Sequence, residues 1–298
     1  MADEDGRRRH YADLYEPSAD DGPVGVVLGN CQAESLRQAL EGIDVRLLRV
    51  PPVHELVADD VPHLQRALAR AAVVVAQPIR DDYHGLPLGT RQLFAAAPAG
   101  ARTAVLPVIR DASAYPWHAI VRPPSDPGAT PPVVAYHDLR TLSAAAGRPA
   151  APLPSADALR AIGAASLEEL RSREQRHGTV PVSDLLAEPS FERMRTINHP
   201  GNAVWEPVAL RVHEVLGTGG EPRRLSRPLL DAVHAPREAA VIDLLGIDAE
   251  PRDHWIVDGR SVDRGEVREA HLAWYREHPD AVRAGLERHA AALGALGL

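Results

Sequence analysis

Lysine is absent from this 298-residue chain, and all 33 basic residues are arginine. That excludes the chemistries a lysine amine carries: pyridoxal-phosphate Schiff bases, the P-loop and protein-kinase phosphate-binding lysines, and lysine-borne biotin or lipoate. A single cysteine, Cys31, precludes an internal disulfide and fits a reducing, cytoplasmic setting. No apolar run approaches the roughly 18 residues of a membrane helix; the longest, Ala71–Ala76, is strand-sized. Residues 1–22 lack the apolar centre of a signal peptide. With 41 acidic residues the net charge is −8, which leaves no basic footprint for nucleic acid or an anionic membrane. Neither G-x-S-x-G nor H-E-x-x-H occurs, and 14 scattered histidines without paired spacing predict no metal site.

What is present suffices for a folded core, since 45% of the residues are apolar. Residues 1–22 are polar and aperiodic and read as an arm. From Val24 the pattern alternates: strands at Val24–Leu28, Asp44–Val50, Val73–Ala76 and Thr103–Ile109, helices at Gln32–Leu40, His54–Ala71 and Leu88–Ala97. Strands and helices in that rhythm predict an α/β fold, a parallel sheet with flanking helices of the Rossmann or SGNH kind. Arg110–Pro132 is a proline-rich loop, expected either to carry function or to be disordered. The rest reads as mainly helical: Tyr136–Ala146, Ala156–Arg176, Val182–Arg195, Ala203–Leu216, Arg237–Leu245, Arg264–Glu277 and Asp280–Leu296, with a small hairpin at Ile256–Val262. The expected organisation is an arm (1–22), an α/β core (23–150) and a helical region (151–298).

Val24-Gly-Val-Val-Leu-Gly-Asn-Cys-Gln-Ala-Glu-Ser35 is the most informative stretch, because it puts Cys31 at the first strand-to-helix turn. Ligands of doubly wound sheets bind at the carboxyl ends of the strands, and that turn is the usual wall of the crevice. A helix start lowers a thiol's pKa and offers N–H donors, so Cys31 reads as a nucleophile with a depressed pKa. Asn30 and Gln32 carry amides that suit a developing oxyanion. The alternative reading of the cysteine is a buried packing residue. A thiol needs a base, and His199 stands in an ordered turn, Thr196-Ile-Asn-His-Pro-Gly-Asn202, at a helix entrance. After the third strand, Asp81 or Asp82 suits orienting a base, His84 suits being one, and Arg80 suits a phosphate. For both segments the plain alternative is solvated surface. Tyr136-His-Asp138 is a weaker candidate, and Gly217-Thr-Gly-Gly220 reads as a helix C-cap and linker.

The Gly29-Asn30-Cys31-Gln32 turn, with Ser35 one helix turn on, resembles the WcbI family of bacterial polysaccharide-biosynthesis acetyltransferases. Gln77-Pro78 with Asp82-Tyr83, Leu106-Pro107 leading to Tyr115-Pro116, and Asn198-His199-Pro200 resemble its further landmarks, over residues 24–215. The resemblance implies an α/β fold loosely related to SGNH-type esterases, binding of coenzyme A, and acyl transfer to a sugar hydroxyl. It points to Cys31 and His199 as catalytic, with Asp82 in support. Gly29, Asn30, Gln32, Ser35, Tyr83, His84 and Asn198 then line the oxyanion or substrate site. Without lysine, coenzyme phosphates fall to arginines, and Arg80, Arg110 and Arg122 are the candidates beside the strand ends and the proline-rich loop.

The expected function is acyl transfer, of acetyl above all, from coenzyme A or a carrier-protein thioester to a hydroxyl or amine. The Ala-, Arg- and Pro-rich composition extends the acceptor from a sugar to a secondary metabolite. Two rivals use the same residues: an esterase or thioesterase with water as acceptor, and a non-catalytic coenzyme A- or glycan-binding module.

Overall fold

The computed structural model describes residues 2–16 and 22–298. It forms two compact units interleaved in sequence, residues 1–109, 171–184 and 202–230 in the first and the remainder in the second. The chain passes between the units five times, after residues 109, 170, 184, 201 and 230. The helix Ala156–His177 gives its residues through Leu170 to the second unit and the rest to the first.

In the first unit a short arm, α1 (Ala2–His10) and α2 (Ala12–Tyr15), precedes β1 (Val24–Leu28) and α3 (Cys31–Ala39). There follow β2 (Arg46–Leu48), α4 (Val61–Leu68), β3 (Ala71–Ala76), α5 (Thr90–Ala95) and β4 (Arg102–Val105). The four strands form a wholly parallel sheet in the order β2-β1-β3-β4. Every residue of β1 is buried, as a central strand covered on both faces must be. The chain leaves β1 toward β2 and then returns across it to β3, so strand order reverses between β1 and β3. That is the switch point at which such sheets bind ligands.

The arm was expected to be featureless, yet residues 2–15 are largely helical, and Leu14 and Tyr15 join the unit's core cluster. Tyr11, Leu14 and Tyr15 lie at i, i+3 and i+4, a helical spacing too short to stand out among charges. Residues 17–21 of that segment lie outside the described residues.

The second unit builds its own core from Trp117, Leu139, Leu142, Leu159, Val241, Trp274, Tyr275 and Leu293. The expected hairpin is present as strands Trp255–Val257 and Arg260–Val262, extended by Val233–His234. The proline-rich loop is packed rather than loose: Asp111, Tyr115, Trp117, His118, Ala119 and Val121 are all buried. Two expected helices differ. Val182–Arg195 becomes a 3-10 turn, Ser183–Leu186, and a strand, Met194–Thr196. Pro189 stands between them, and the Glu174 carboxylate takes the N–H groups of Val182 and Ser183 at 2.7 and 2.8 Å. Asp280–Leu296 is split at His289 into Pro279–Arg288 and Ala290–Leu296.

His118 and His137 are buried in this unit, and burial pushes their pKa values down to about 4 and about 3. Both are neutral in the fold but titrate near 6.5 when unfolded, so their contribution is complete above that pH and is lost below it. Each steepens the loss by up to ~1.4 kcal/mol per pH unit. Melting temperature is expected to fall markedly from about pH 7 to about pH 4.5, and a flat profile there contradicts neutral burial of the pair.

Candidate functional site

Two glutamines knit the carboxyl edge of the sheet. Gln77 follows β3, is buried, and its Oε1 accepts the Asn30 N–H at 2.9 Å. Its Nε2 donates to Gln32 Oε1 at 3.2 Å and to the Pro107 carbonyl at 3.5 Å. Gln32, fully buried on α3, donates from Nε2 to the Ile109 carbonyl at 2.7 Å and accepts the Ile109 N–H at 2.9 Å. The ends of β1, β3 and β4 are thereby fixed to one another. Gly29 makes room for this, because a Cβ there would sit 2.4 Å from Gln77 Oε1. Gln32 was expected to serve an oxyanion, but its amide is committed to the Ile109 backbone. Gln77, singled out in the sequence only as part of a family landmark, is the missed organiser of the site.

Asn30 caps α3, its Oδ1 accepting the Gln32 N–H at 2.9 Å. Cys31 follows as the first helical residue, partly exposed, on a cavity of about 260 Å³. Val27, Ala33, Val50, Pro51, Pro52, Leu229 and Leu230 make most of that cavity apolar, while Asn30, Ser35 and Gln38 bring polar atoms. The Gly29 carbonyl accepts the Val53 N–H at 2.7 Å, which holds the Pro51-Pro52 wall in place. The opposite wall hangs on Asn202, whose side chain binds the Arg227 carbonyl and the Leu229 N–H, both at 2.9 Å. Asn202, which ends the turn around His199 in the sequence, is thus a clamp for this wall.

The expected depression of the Cys31 pKa is overturned. Burial pushes the thiol above the ordinary cysteine value, against the weaker pull of the Cys31 and Gln32 N–H groups. In an apolar pocket the helix start does not repay the desolvation of a thiolate.

A second cavity, about 520 Å³, adjoins the first through Glu34, Gln38, Arg49, Arg227 and Leu229. Arg37, Arg223 and Arg224 complete its basic lining, opposed by Glu34 and Glu41. Arg49 Nε is buried and makes no hydrogen bond, with Glu34 Oε1 3.5 Å away. None of these arginines was a sequence candidate. The available signal was Arg223-Arg224 and Arg227 in a segment with no strand or helix pattern, just beyond the glycine-rich linker.

The other candidates lie elsewhere. Arg80, Asp82 and His84 are exposed and Tyr83 half-buried in the loop after β3, and none lines the Cys31 cavity. Asp82 and His84 have φ of 51° and 55°, in the left-handed region. Asp82 is held by Gln92, which donates from Nε2 to its Oδ1 at 2.7 Å.

His199, Asn198, Arg110 and Arg122 belong to the second unit, whereas Cys31 belongs to the first. His199 opens the return strand of a hairpin, Met194–Thr196 with His199–Pro200, and Asn198 lies in its turn. The Tyr136 hydroxyl donates to Asn198 Oδ1 at 2.8 Å, and the Tyr136 ring meets the His199 imidazole edge-on at 5.8 Å. Burial pushes His199 down to about 4, so the ring is neutral at pH 7, and its Nδ1 is buried with no hydrogen-bond partner. Arg122 is exposed and Arg110 half-buried. Among the described residues no group of three or more His, Cys, Asp or Glu is placed to hold a metal ion. Nor, among the described residues, is any helix long and apolar enough to cross a membrane.

The family model for the polysaccharide biosynthesis enzyme WcbI matches residues 24–221, about two thirds of the chain. A solved structure of WcbI, described as a novel polysaccharide biosynthesis enzyme, is similar with a TM-score of 0.74 at 18% identity. The match covers 93% of this chain and 98% of that one. That structure is described as the native protein without a disulfide bond between coenzyme A and one of its cysteines. No curated protein matches this sequence.

Removing Gln77 would free the Asn30 N–H and one Gln32 oxygen contact inside the fold. Gln77→Ala is expected to cost about 2–4 kcal/mol in urea unfolding, three hydrogen bonds being lost and buried groups left unpaired. Gln77→Glu is expected to be as harmful, because a carboxylate cannot donate to Gln32 and Pro107. Wild-type stability in both variants contradicts the organising role.

Proposed function

The chain belongs to the family of the polysaccharide biosynthesis enzyme WcbI, and we propose that it is a coenzyme A-dependent acyltransferase whose donor thioester lies beside Cys31. The observation that carries this reading is the adjacency of the two cavities: an apolar slot holding the only thiol shares Arg49, Arg227 and part of its wall with an arginine-lined one. A phosphorylated thioester has that polarity, an apolar, uncharged reactive end and an anionic far end. The buried Arg49 Nε without a hydrogen bond fits a phosphate oxygen. The solved WcbI structure supports the ligand, since coenzyme A is named there together with a cysteine.

When bound, acyl-coenzyme A supplies an activated acyl carbon and a thiolate leaving group. Arg49, Arg223, Arg224 and Arg227 hold the phosphates in place of lysines, with Arg80, Arg110 and Arg122 outside this cavity. Asn30 lines the thioester end, where its side-chain amide suits the oxyanion. Cys31, as a thiol rather than a thiolate at neutral pH, favours lining the site over attacking it. His199, neutral at pH 7 and so able to take a proton, is the proposed base toward an acceptor hydroxyl or amine. The acceptor is a sugar, in keeping with the family, or a small metabolite bearing the same groups.

Acetyl-coenzyme A is incubated with and without candidate acceptors while free thiol is followed. Acceptor-dependent release supports the transferase; acceptor-independent release identifies a thioesterase, and binding without release a module. Arg49→Ala and Arg227→Ala are expected to weaken coenzyme A binding by about 1.5–3 kcal/mol each, and Arg80→Ala and Arg122→Ala to leave it unchanged. His199→Ala is expected to cost two or more orders of magnitude in turnover, roughly the worth of a general base. Near-wild-type turnover in that variant removes His199 from the mechanism.

A further inference from the structure

We propose that the N-terminal arm is a wall of the Cys31 pocket, and that Tyr11 contacts the bound ligand and controls access to the thiol. For the identity of the ligand the inference rests on the thioester reading above.

Tyr11 joins α1 to α2 and lines the same cavity as Cys31, Asn30 and Ser35. It precedes the family match, which begins at residue 24, so this wall is an addition to the matched pattern. The arm is anchored through a buried acid. Asp60 is 3% exposed, and its carboxylate receives Arg7 Nη1 and Nη2 at 3.0 and 2.8 Å. The same carboxylate accepts the Tyr15 hydroxyl at 2.7 Å and the Val57 N–H at 3.0 Å. A buried carboxylate is strongly disfavoured once its cation is removed, so Arg7 is held in place and the helix behind it is ordered. Leu14 and Tyr15 add apolar burial in the unit's core.

On its other side Tyr11 meets Arg49, whose guanidinium lies 5.9 Å from the ring centroid. Arg49 also donates its backbone N–H to Asp13 of the arm, at 3.3 Å, and lines both cavities. One residue of the arm therefore borders the thiol's slot while orienting the cation shared with the phosphate cavity. A half-buried tyrosine has the right surface for this, an apolar ring toward the ligand's chain and a hydroxyl toward water.

Cys31 is the only cysteine, so iodoacetamide alkylation read by intact mass reports its accessibility without ambiguity. Coenzyme A affinity is measured by calorimetry on the same full-length proteins. Tyr11→Ala is expected to speed alkylation and to weaken coenzyme A about tenfold, equivalent to ~1.4 kcal/mol. Tyr11→Phe keeps the ring and is expected to stay near wild type in both. Arg7→Ala, which loosens the arm from Asp60 without altering the cavity lining, moves both readouts in the direction of Tyr11→Ala. Melting temperatures separate local opening from global unfolding. Unchanged alkylation and affinity in Tyr11→Ala overturn the proposal. Faster alkylation where the wild type binds no coenzyme A supports the wall but overturns the ligand contact and the thioester reading together. Faster alkylation with unchanged affinity overturns the ligand contact alone.

Discussion

Gln77 leaves the end of β3 where strand order reverses, and its side chain spans the gap to the turn after β1. There it takes the Asn30 N–H and donates to Gln32, which in turn holds the backbone beyond β4 at Ile109. Backbone bonds join the strand ends as far as the Gln77 N–H on the Leu28 carbonyl and the Leu106 N–H on the Ala76 carbonyl, and the amide pair carries the connection beyond them to Asn30 and Ile109. With Asn30 pinned, α3 starts at Cys31 and the thiol faces the slot between the Pro51-Pro52 and Leu229-Leu230 walls. A polar pair buried this fully is tolerable only because each amide oxygen and nitrogen is paired.

The strand-turn-helix around Cys31, and the parallel sheet behind it, were legible because β1, β3 and α3 carry strong local patterns that tertiary packing does not oppose. The hairpin at Trp255–Val262 was legible for the same reason, with Asp258-Gly259 supplying the turn. The arginines of the phosphate cavity were not. They come from α3, from just beyond β2 and from a segment far later in the chain, brought in by the Asn202 clamp and by the Arg223 N–H bond to the Glu41 carbonyl. Gln32 misled because a glutamine at a helix start looks identical in sequence whether it faces a ligand or a backbone. Cys31's pKa misled because the helix-start effect is local, while the apolar walls that outweigh it are contributed by distant segments.

Absence of lysine shapes the chemistry as much as any residue present. A guanidinium stays charged when partly buried, where an ammonium loses its proton readily, so an all-arginine cavity keeps its positive potential as it desolvates a phosphate. Glu34 and Glu41 offset part of that charge and keep the arginines apart: Arg37 is held by Glu34 at 2.8 Å and lies 3.5 Å from Glu41. Arg227 is tied in turn to Gln38 Oε1 at 2.5 Å. The cavity is thus pre-ordered by side chains of α3, the same helix that presents the thiol at its start.

Thiol–disulfide exchange with oxidised coenzyme A tests the joint placement of thiol and phosphate sites most directly. Cys31 sulfur attacks one sulfur of the coenzyme A disulfide, the S–S bond breaks, and one equivalent of coenzyme A thiol leaves as the mixed disulfide forms. The account predicts a single adduct per chain by intact mass, reversed by dithiothreitol. It also predicts formation much faster than with a small uncharged disulfide, and loss of that preference in Arg49→Ala and Arg227→Ala. An inert thiol, or equal rates for the two disulfides, would contradict a coenzyme site built around Cys31.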